Sequence, residues 1–295
     1  FSPQFDRNTF SREVMSFAEA ANKKDSVFWQ TVRPVPLTNE ELTDYIKKVS
    51  IQVLRSSRTY LDSGDRVGNK FNLSNIAFGY SYSNSYEKNN FNISSPLLGT
   101  HFNTVQCWNT TLNIGFRQNY DENYSRYWRF GGSLNYGFSD ERLRYTALFQ
   151  KKFNNISKPI LSISGGVQAI QINNTNPISE RINTITSLLY ERNYMKLYER
   201  QFAEVSYQQE IFNGLGLFSD LSYNRRKALY NTTDQVWRNV DDINYTSNDP
   251  LQPFIEESAP FEDHNIYKFN LNARIDFAQN YMSYPDGKFN IGNNK

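Results

Sequence analysis

The sequence predicts an all-β protein: an antiparallel meander of about ten long strands that forms all or part of a transmembrane β-barrel, preceded by a short helical segment. Three observations predict it. Bulky apolar residues alternate with small or polar ones over long runs. In "RYWRFGGSLNYGFSDERLRYTALFQ" (Arg126–Gln150), Trp128, Phe130, Leu134, Tyr136 and Phe138 share one parity and Arg129, Gly131, Ser133, Asn135 and Gly137 the other. The runs last about 10–15 residues, beyond the ~5–6 of an ordinary strand and enough for the ~9–11 that cross a bilayer at a tilt. Finally, 16% of residues are aromatic although the mean hydropathy is −0.68, so large rings are carried on a polar average.

Residues 1–70 read as a separate helical and extended segment. "FSREVMSFAEAANKKDSVFWQTV" sets Phe10, Val14, Phe17 and Ala18 at helical spacing. Val32–Pro36 must be extended, because its prolines fix φ and restrict the residues before them. A second helix opens at "LTNEEL", with Thr38 as N-cap, Glu41 as its capping-box partner and Leu37 placed to staple to Leu42. Tyr45, Ile46, Val49, Val53 and Leu54 carry this helix toward "LDSGD". "GDRVGNK" (Gly64–Lys70) has the wrong spacing for a phosphate loop and reads as a linker.

From Asn72 the period changes to two, and residues 71–295 read as the barrel region. "IAFGYSYSNSY" aligns Phe78, Tyr80, Tyr82 and Tyr86; "NFNISSPL" aligns Phe91, Ile93 and Leu97; "QCWNTTLNIGFRQNY" aligns Trp108, Leu112, Ile114 and Phe116. The runs at 124–138 and 143–153 follow, then "PILSISGGVQAIQIN", "TITSLLYERNYMKLY", "RQFAEVSYQQEIF", "GLFSDLSYNR" and "NIYKFNLNARIDFA". Asn213-Gly214 predicts a tight hairpin of type I′. "SDER" and "NNIS" serve as shorter-range turns, whereas 226–263 is a long connection with little alternation. Tight turns alternating with longer loops describe a meander, not βαβ units.

A soluble sandwich also alternates, so parity alone leaves the solvent open. The second parity here is Gly, Ser, Asn, Gln and charge, which suits a wet lumen better than a dry core. Tyrosines and tryptophans gather near the run ends, as aromatic girdles do. In lipid every backbone N–H and C=O must pair within protein, so a sheet crosses only when closed. Closure puts the apolar parity against acyl chains and leaves the charges Arg129, Arg144, Lys152, Glu204, Lys268 and Arg274 as candidate lumen-facing residues.

Composition excludes several classes. The net charge is +2 with Lys and Arg scattered among acids, which is no nucleic-acid footprint. A single cysteine, Cys107, rules out a disulfide framework and any multi-cysteine metal centre. No run reaches the ~18–20 apolar residues of a transmembrane helix. No signal peptide is visible, and the chain reads as an internal piece of a longer protein.

Catalytic chemistry is sparse. The two histidines are His101, in a turn region, and His264, beside Glu262 and Asp263 at a strand start; both read as ordinary polar residues. Asp234, Asp241, Asp242 and Asp249 lack the fixed Gly and terminal Glu of a calcium loop and read as solvated. No nucleotide, zinc-protease or serine-hydrolase motif occurs. No cofactor, metal or catalytic residue is therefore expected, and the protein is not expected to be an enzyme.

Several stretches, in order, resemble one family: "DSVFWQTVRPVPLTNEELTDYIKK", "FNISSPLLGTHFNTVQCWN", "LNYGFSDERLRY", "FNNISKPILSISGG", "NPISERINTITSLLYERNYMKLYER" and "YMSYPDGKFNIGN". They are similar to a Bacteroidota family of uncharacterised outer-membrane proteins. In that family a carboxypeptidase-regulatory-like domain precedes a C-terminal barrel similar to the Omp85 surface-antigen class. The resemblance implies an outer-membrane location, the lipid bilayer as partner and further strands after Lys295. Periplasmic or cell-surface proteins are possible further partners. It supplies no activity and no catalytic residues. The leading expectation is thus a barrel with a structural, transport or membrane-assembly role. A barrel-embedded surface hydrolase and a soluble β-rich secreted binding module stand as alternatives.

Overall fold

A computed structural model of the chain describes residues 12–18, 24–121, 126–173, 175–241, 243–255 and 258–293. It is mostly β, 44% strand and 19% helix, and is dominated by one open antiparallel sheet of ten strands in meander order.

The leading segment holds β1 (Glu13–Ser16), α1 (Ser26–Val32), α2 (Asn39–Ser56) and α3 (Arg58–Gly68). Thr38 caps α2 as expected: its hydroxyl accepts from the Glu41 N–H while the Glu41 carboxylate takes the Thr38 N–H at 2.9 Å. The Thr38 N–H, and the Thr38 hydroxyl donating to the same carboxylate at 3.1 Å, hold the Glu41 carboxyl below the usual carboxylate range.

Two expectations here are corrected. Glu13–Ser16 is a strand, not part of a helix, because it pairs in parallel with the distant segment Tyr281–Ser283; Phe10 lies outside the described residues. The long helix is two helices. Ser57 is extended (φ −67, ψ 144), closes α2 and caps α3, and the Ser56 and Ser57 hydroxyls turn back onto the Val53 and Leu54 carbonyls. Serine hydroxyls compete with the backbone in this way and break helices. Gly64–Gly68, read as linker, is the last turn of α3.

Next come α4 (Ser74–Phe78), β2 (Tyr80–Asn84), β3 (Asn89–Ile93), β4 (Thr100–Asn103), β5 (Cys107–Asn119), β6 (Tyr127–Gly137), β7 (Leu143–Lys152) and β8 (Ile160–Gln171). The run expected from Ile76 to Tyr86 shortens to β2, since 74–78 is a helical turn ended by Gly79 at φ +88. After β8 comes α5 (Glu180–Tyr190), then β9 (Leu197–Phe212), β10 (Leu215–Ala228), β11 (His264–Ile275), β12 (Gln279–Tyr284) and β13 (Gly287–Asn293). Here "TITSLLY", expected in a strand, is helical. The helix buries Asn183, Ser187 and Leu188 on one side and ends where Glu191 turns left-handed at φ 51.

The sheet order is β11-β10-β9-β8-β7-β6-β5-β3-β2, with β4 also on β5, while β1, β12 and β13 make a small separate sheet. The strands are long: β7 has 10 residues and β9 has 16. Gly214 supplies a positive φ at the β9–β10 turn, but Asn213 does not, and the register slips between Leu215 and Gly216. A bulge therefore closes this hairpin in place of the type I′ turn, which needs positive φ at both residues. Connections at one end are short; those at the other include α5 and the long stretch 229–263.

Opposed residues share a face of a sheet. Leu112, Leu134 and Tyr145 lie in one row, and Ile163, Val205, Leu221 and Phe269 in another row of the same face. That face is uncovered. Leu134 is 41% exposed, Val205 44% and Leu221 58%, although all are in interior strands. The buried apolar cluster lies elsewhere: Val105, Met195, Leu197 and Leu229 pack together at the long-loop end.

Candidate functional site: the polar face and its cap

The register places all six charges singled out in the sequence on one face. A row runs Arg129–Gln150–Ser162–Ser206–Asp220–Asn270 across six strands. Arg144 and Lys152 share parity with Gln150, Glu204 with Ser206, and Lys268 and Arg274 with Asn270. They do not converge on a point. Arg129 stands exposed in mid-sheet near the Arg117 guanidinium, which lies 4.0 Å over the Tyr127 ring. Arg274 pairs with Asp276 at 3.0 Å near the short-turn end.

Two groups do assemble. Glu204 and Lys268 line an open cavity of about 270 Å³ together with Arg200, Asp220 and Arg226. There Arg200 stands 3.7 Å from Glu204, and Asn270 donates to Asp220 at 3.0 Å. At the long-loop end Arg144 is 1% exposed and lies between Asp140 at 2.6 Å and Glu199 at 3.3 Å, with Arg142 on the outer side of Glu199 at 3.5 Å. Asp140 and Glu199 escaped the sequence reading. Asp140 belongs to a turn that looked merely hydrophilic, and Glu199 is fixed by contact with a residue far away in sequence.

The cap over this end is built from asparagines. Asn183 donates to the Phe102 carbonyl and accepts from the Met195 N–H at 3.0 Å. Asn248 joins the Leu197 N–H, the Leu197 carbonyl and the Leu229 carbonyl. Asn193 and Asn231 both donate to the Thr246 carbonyl, and the Trp108 and Trp237 rings approach to 5.9 Å. The long connection 229–255 is also pinned onto α5, where the Trp237 N–H donates to the Leu188 carbonyl at 2.9 Å, and beside β4, where the Thr232 N–H donates to the Thr104 carbonyl at 2.8 Å. Each buried amide offers both donors and an acceptor, so one side chain satisfies two or three backbone groups that would otherwise cost about 1–3 kcal/mol each. Lys196 also reaches Thr246, at 2.7 Å to its hydroxyl, and burial holds its ammonium pKa down to about 8.

The residues examined for chemistry fall apart. His101 Nδ1 lies 3.2 Å from the Glu180 carboxylate within the cap, whereas among the described residues His264 meets the Glu262 carbonyl and the Phe261 ring at the start of β11. Asp263 accepts from the Ala228 N–H. Asp249 is buried and takes the Ser258 hydroxyl, which holds its carboxyl below the usual range. Asp242 lies outside the described residues. Among the described residues no group of three metal-ligating side chains occurs.

What fold and site define is an all-β protein with one broad meander sheet, apolar on one face, charged on the other and capped at one end. The chain belongs to the Family of unknown function (DUF5686), residues 74–295 matching its C-terminal domain. No curated protein and no solved structure matches it.

Proposed function

We propose that the large sheet is wall of an outer-membrane β-barrel, in a Bacteroidota-type envelope protein similar to the Omp85 class, with a structural, transport or membrane-assembly role. One observation carries the reading: a long-stranded sheet leaves its apolar face bare while the six charges named above share the other. A sandwich of this size would cover such a face with a second layer. Among the described residues the seven buried apolar ones, Phe102, Val105, Leu188, Met195, Leu197, Tyr198 and Leu229, gather instead at the cap and neighbouring strand ends.

Strand length and loop asymmetry support the same reading, since outer-membrane barrels carry long loops outside and short turns inside. On that basis the cap is the cell-surface end. The segment 12–70 then belongs to the periplasmic side, because the small sheet meets the short-turn end through Lys288–Glu210 at 2.6 Å and Asn213–Gln279 at 2.7 Å. The polar face becomes a lumen lining, its partners being water, solutes and any plugging segment, and the bilayer is the partner of the other face.

Nitroxide labels at Leu134 and Ser133, placed singly in a Cys107→Ser background in lipid vesicles, test this. Oxygen should relax the label at 134 and a water-soluble nickel chelate the label at 133. Equal exposure of both to the chelate overturns the membrane assignment.

A further inference from the structure

On the polar face one row of opposed residues runs Gln168–Arg200–Arg226–His264 across β8, β9, β10 and β11. Two guanidinium-bearing residues stand directly opposite each other, a histidine is next in line, and the row contains no carboxylate. Like charges opposed across strands destabilise a sheet. Arg200 is partly answered: its Nε donates to Asn224, its guanidinium lies 4.3 Å from the Phe202 ring centre, and Glu204 stands 3.7 Å away, too far for a hydrogen bond. Arg226 has no ion pair and no hydrogen bond among the described residues. Its guanidinium lies 5.2 Å over the Tyr198 ring, and its Nε is buried without a partner.

Both arginines line the cavity of about 270 Å³, together with Lys268, which is also unpaired among the described residues. Buried Ser222 and Asn224 line it too. Asp220 lies further along β10 in the same cavity: Asn270 donates to its Oδ1, and its Oδ2 is buried with no partner. One cavity thus holds an orphaned donor, Arg226 Nε, and an orphaned acceptor, Asp220 Oδ2. Buried polar atoms are paired in nearly all folded proteins, so two orphans facing one space call for something that fills it.

We infer that this cavity binds a small phosphorylated polyol, a solute of the sugar-phosphate class. Its phosphate is held by Arg200 and Arg226 with Lys268 as third cation, and a hydroxyl of the polyol donates to Asp220. A phosphate monoester brings close to two negative charges and three acceptor oxygens, so one group neutralises the opposed pair and serves two guanidinium forks. A carboxylate, with one charge, answers only one of them. The free acceptor on Asp220 demands a donor, which a hydroxyl supplies and a bare phosphate does not. The volume lies just under the roughly 300–1,000 Å³ usual for ligand sites, which suits a small solute and not a polymer. The inference goes beyond the barrel reading and requires only that this face be wet.

Isothermal titration calorimetry of the protein in detergent micelles tests this, with glucose 6-phosphate as the probe. It should bind about tenfold more tightly than glucose or glucuronate, and Asp220→Asn should narrow its advantage over inorganic phosphate. Arg226→Gln should weaken its binding about tenfold, whereas Arg225→Gln, one residue away on the opposite face, should bind as the parent does. Without ligand, Arg226→Gln should raise the urea midpoint, because one of two opposed charges is gone; an arginine kept only for packing would lower it. No saturable heat, glucuronate bound as tightly as the phosphate, or a midpoint that falls in Arg226→Gln overturns the inference. So does phosphate recognition confined to phosphatidic acid added to the micelles, which would make the ligand a lipid headgroup. None of these outcomes moves the labels at 133 and 134, so the barrel reading stands or falls separately.

Discussion

Replacing Arg144 with methionine removes the cation held between Asp140 and Glu199. The side chains of Asp140 and Glu199 are 8% and 6% exposed, so both carboxylates stay behind in a dry place. Breaking a buried ion pair from one side costs about 3–5 kcal/mol, because the surviving charge is neither hydrated nor neutralised. Arg142 still reaches Glu199 at 3.5 Å, but its side chain is 58% exposed. A screened pair of that kind returns under about 1 kcal/mol. The expected loss for Arg144→Met is therefore about 3 kcal/mol, roughly a hundredfold in the folding equilibrium constant. The triple variant Arg144→Met, Asp140→Asn, Glu199→Gln removes every charge of the cluster. It keeps an acceptor for the Arg142 N–H and for the Gln201 amide. It should recover most of the loss, ending within about 1 kcal/mol of the parent. Urea unfolding in micelles, followed by tryptophan fluorescence, measures both. A single variant as stable as the parent refutes the buried-charge reasoning. So does a triple variant no better than the single.

Two further outcomes follow from the backbone and from Lys196. Gly166 lies within β8 at φ +141, where an added Cβ would overlap the Tyr145 carbonyl oxygen and come within 2.7 Å of Thr146 Cα. Gly166→Ala should destabilise by about 3 kcal/mol in the same urea assay, whereas Gly216→Ala, with open space around it, should change little. For Lys196 the folded pKa of about 8 lies below the ordinary 10.5. Between those values the unfolded chain holds more protons than the folded one, so the cap should gain stability as pH rises through that window. The urea midpoint read from Trp237, with the other three tryptophans replaced by Phe, should climb from pH 8 to 10.5 and stay flat in Lys196→Met.

Much of the large sheet was legible because each interior strand writes its two faces in alternation. Trp128 to Tyr136 and Tyr267 to Ile275 needed no tertiary knowledge to be placed. The six charges were assignable to one face for the same reason. Where the sequence misled, a contact from far along the chain decided the outcome. Glu13–Ser16 became a strand because the 281–283 segment offers Glu13, Met15 and Ser16 a ladder. Thr184 to Tyr190 became helical because Asn183 and Leu188 are wanted inside the cap. Asn109 is 3% exposed and Asn231 accepts from Thr104 at 2.7 Å, a burial that polar residue types do not announce. Their amides are bound within the cap, and a sequence pattern carries no sign of burial.

The parallel pairing of β1 with β12 also constrains how the molecule is made. Residues 13–16 leave any ribosome or translocon long before residues 281–283 emerge, and the intervening chain must be threaded first. Contacts so remote pay their loop-closure entropy late and slow folding. The small sheet is thus a completion signal. Until the far strand arrives, Val14 and Met15 present an unfinished edge that a chaperone would have to shield.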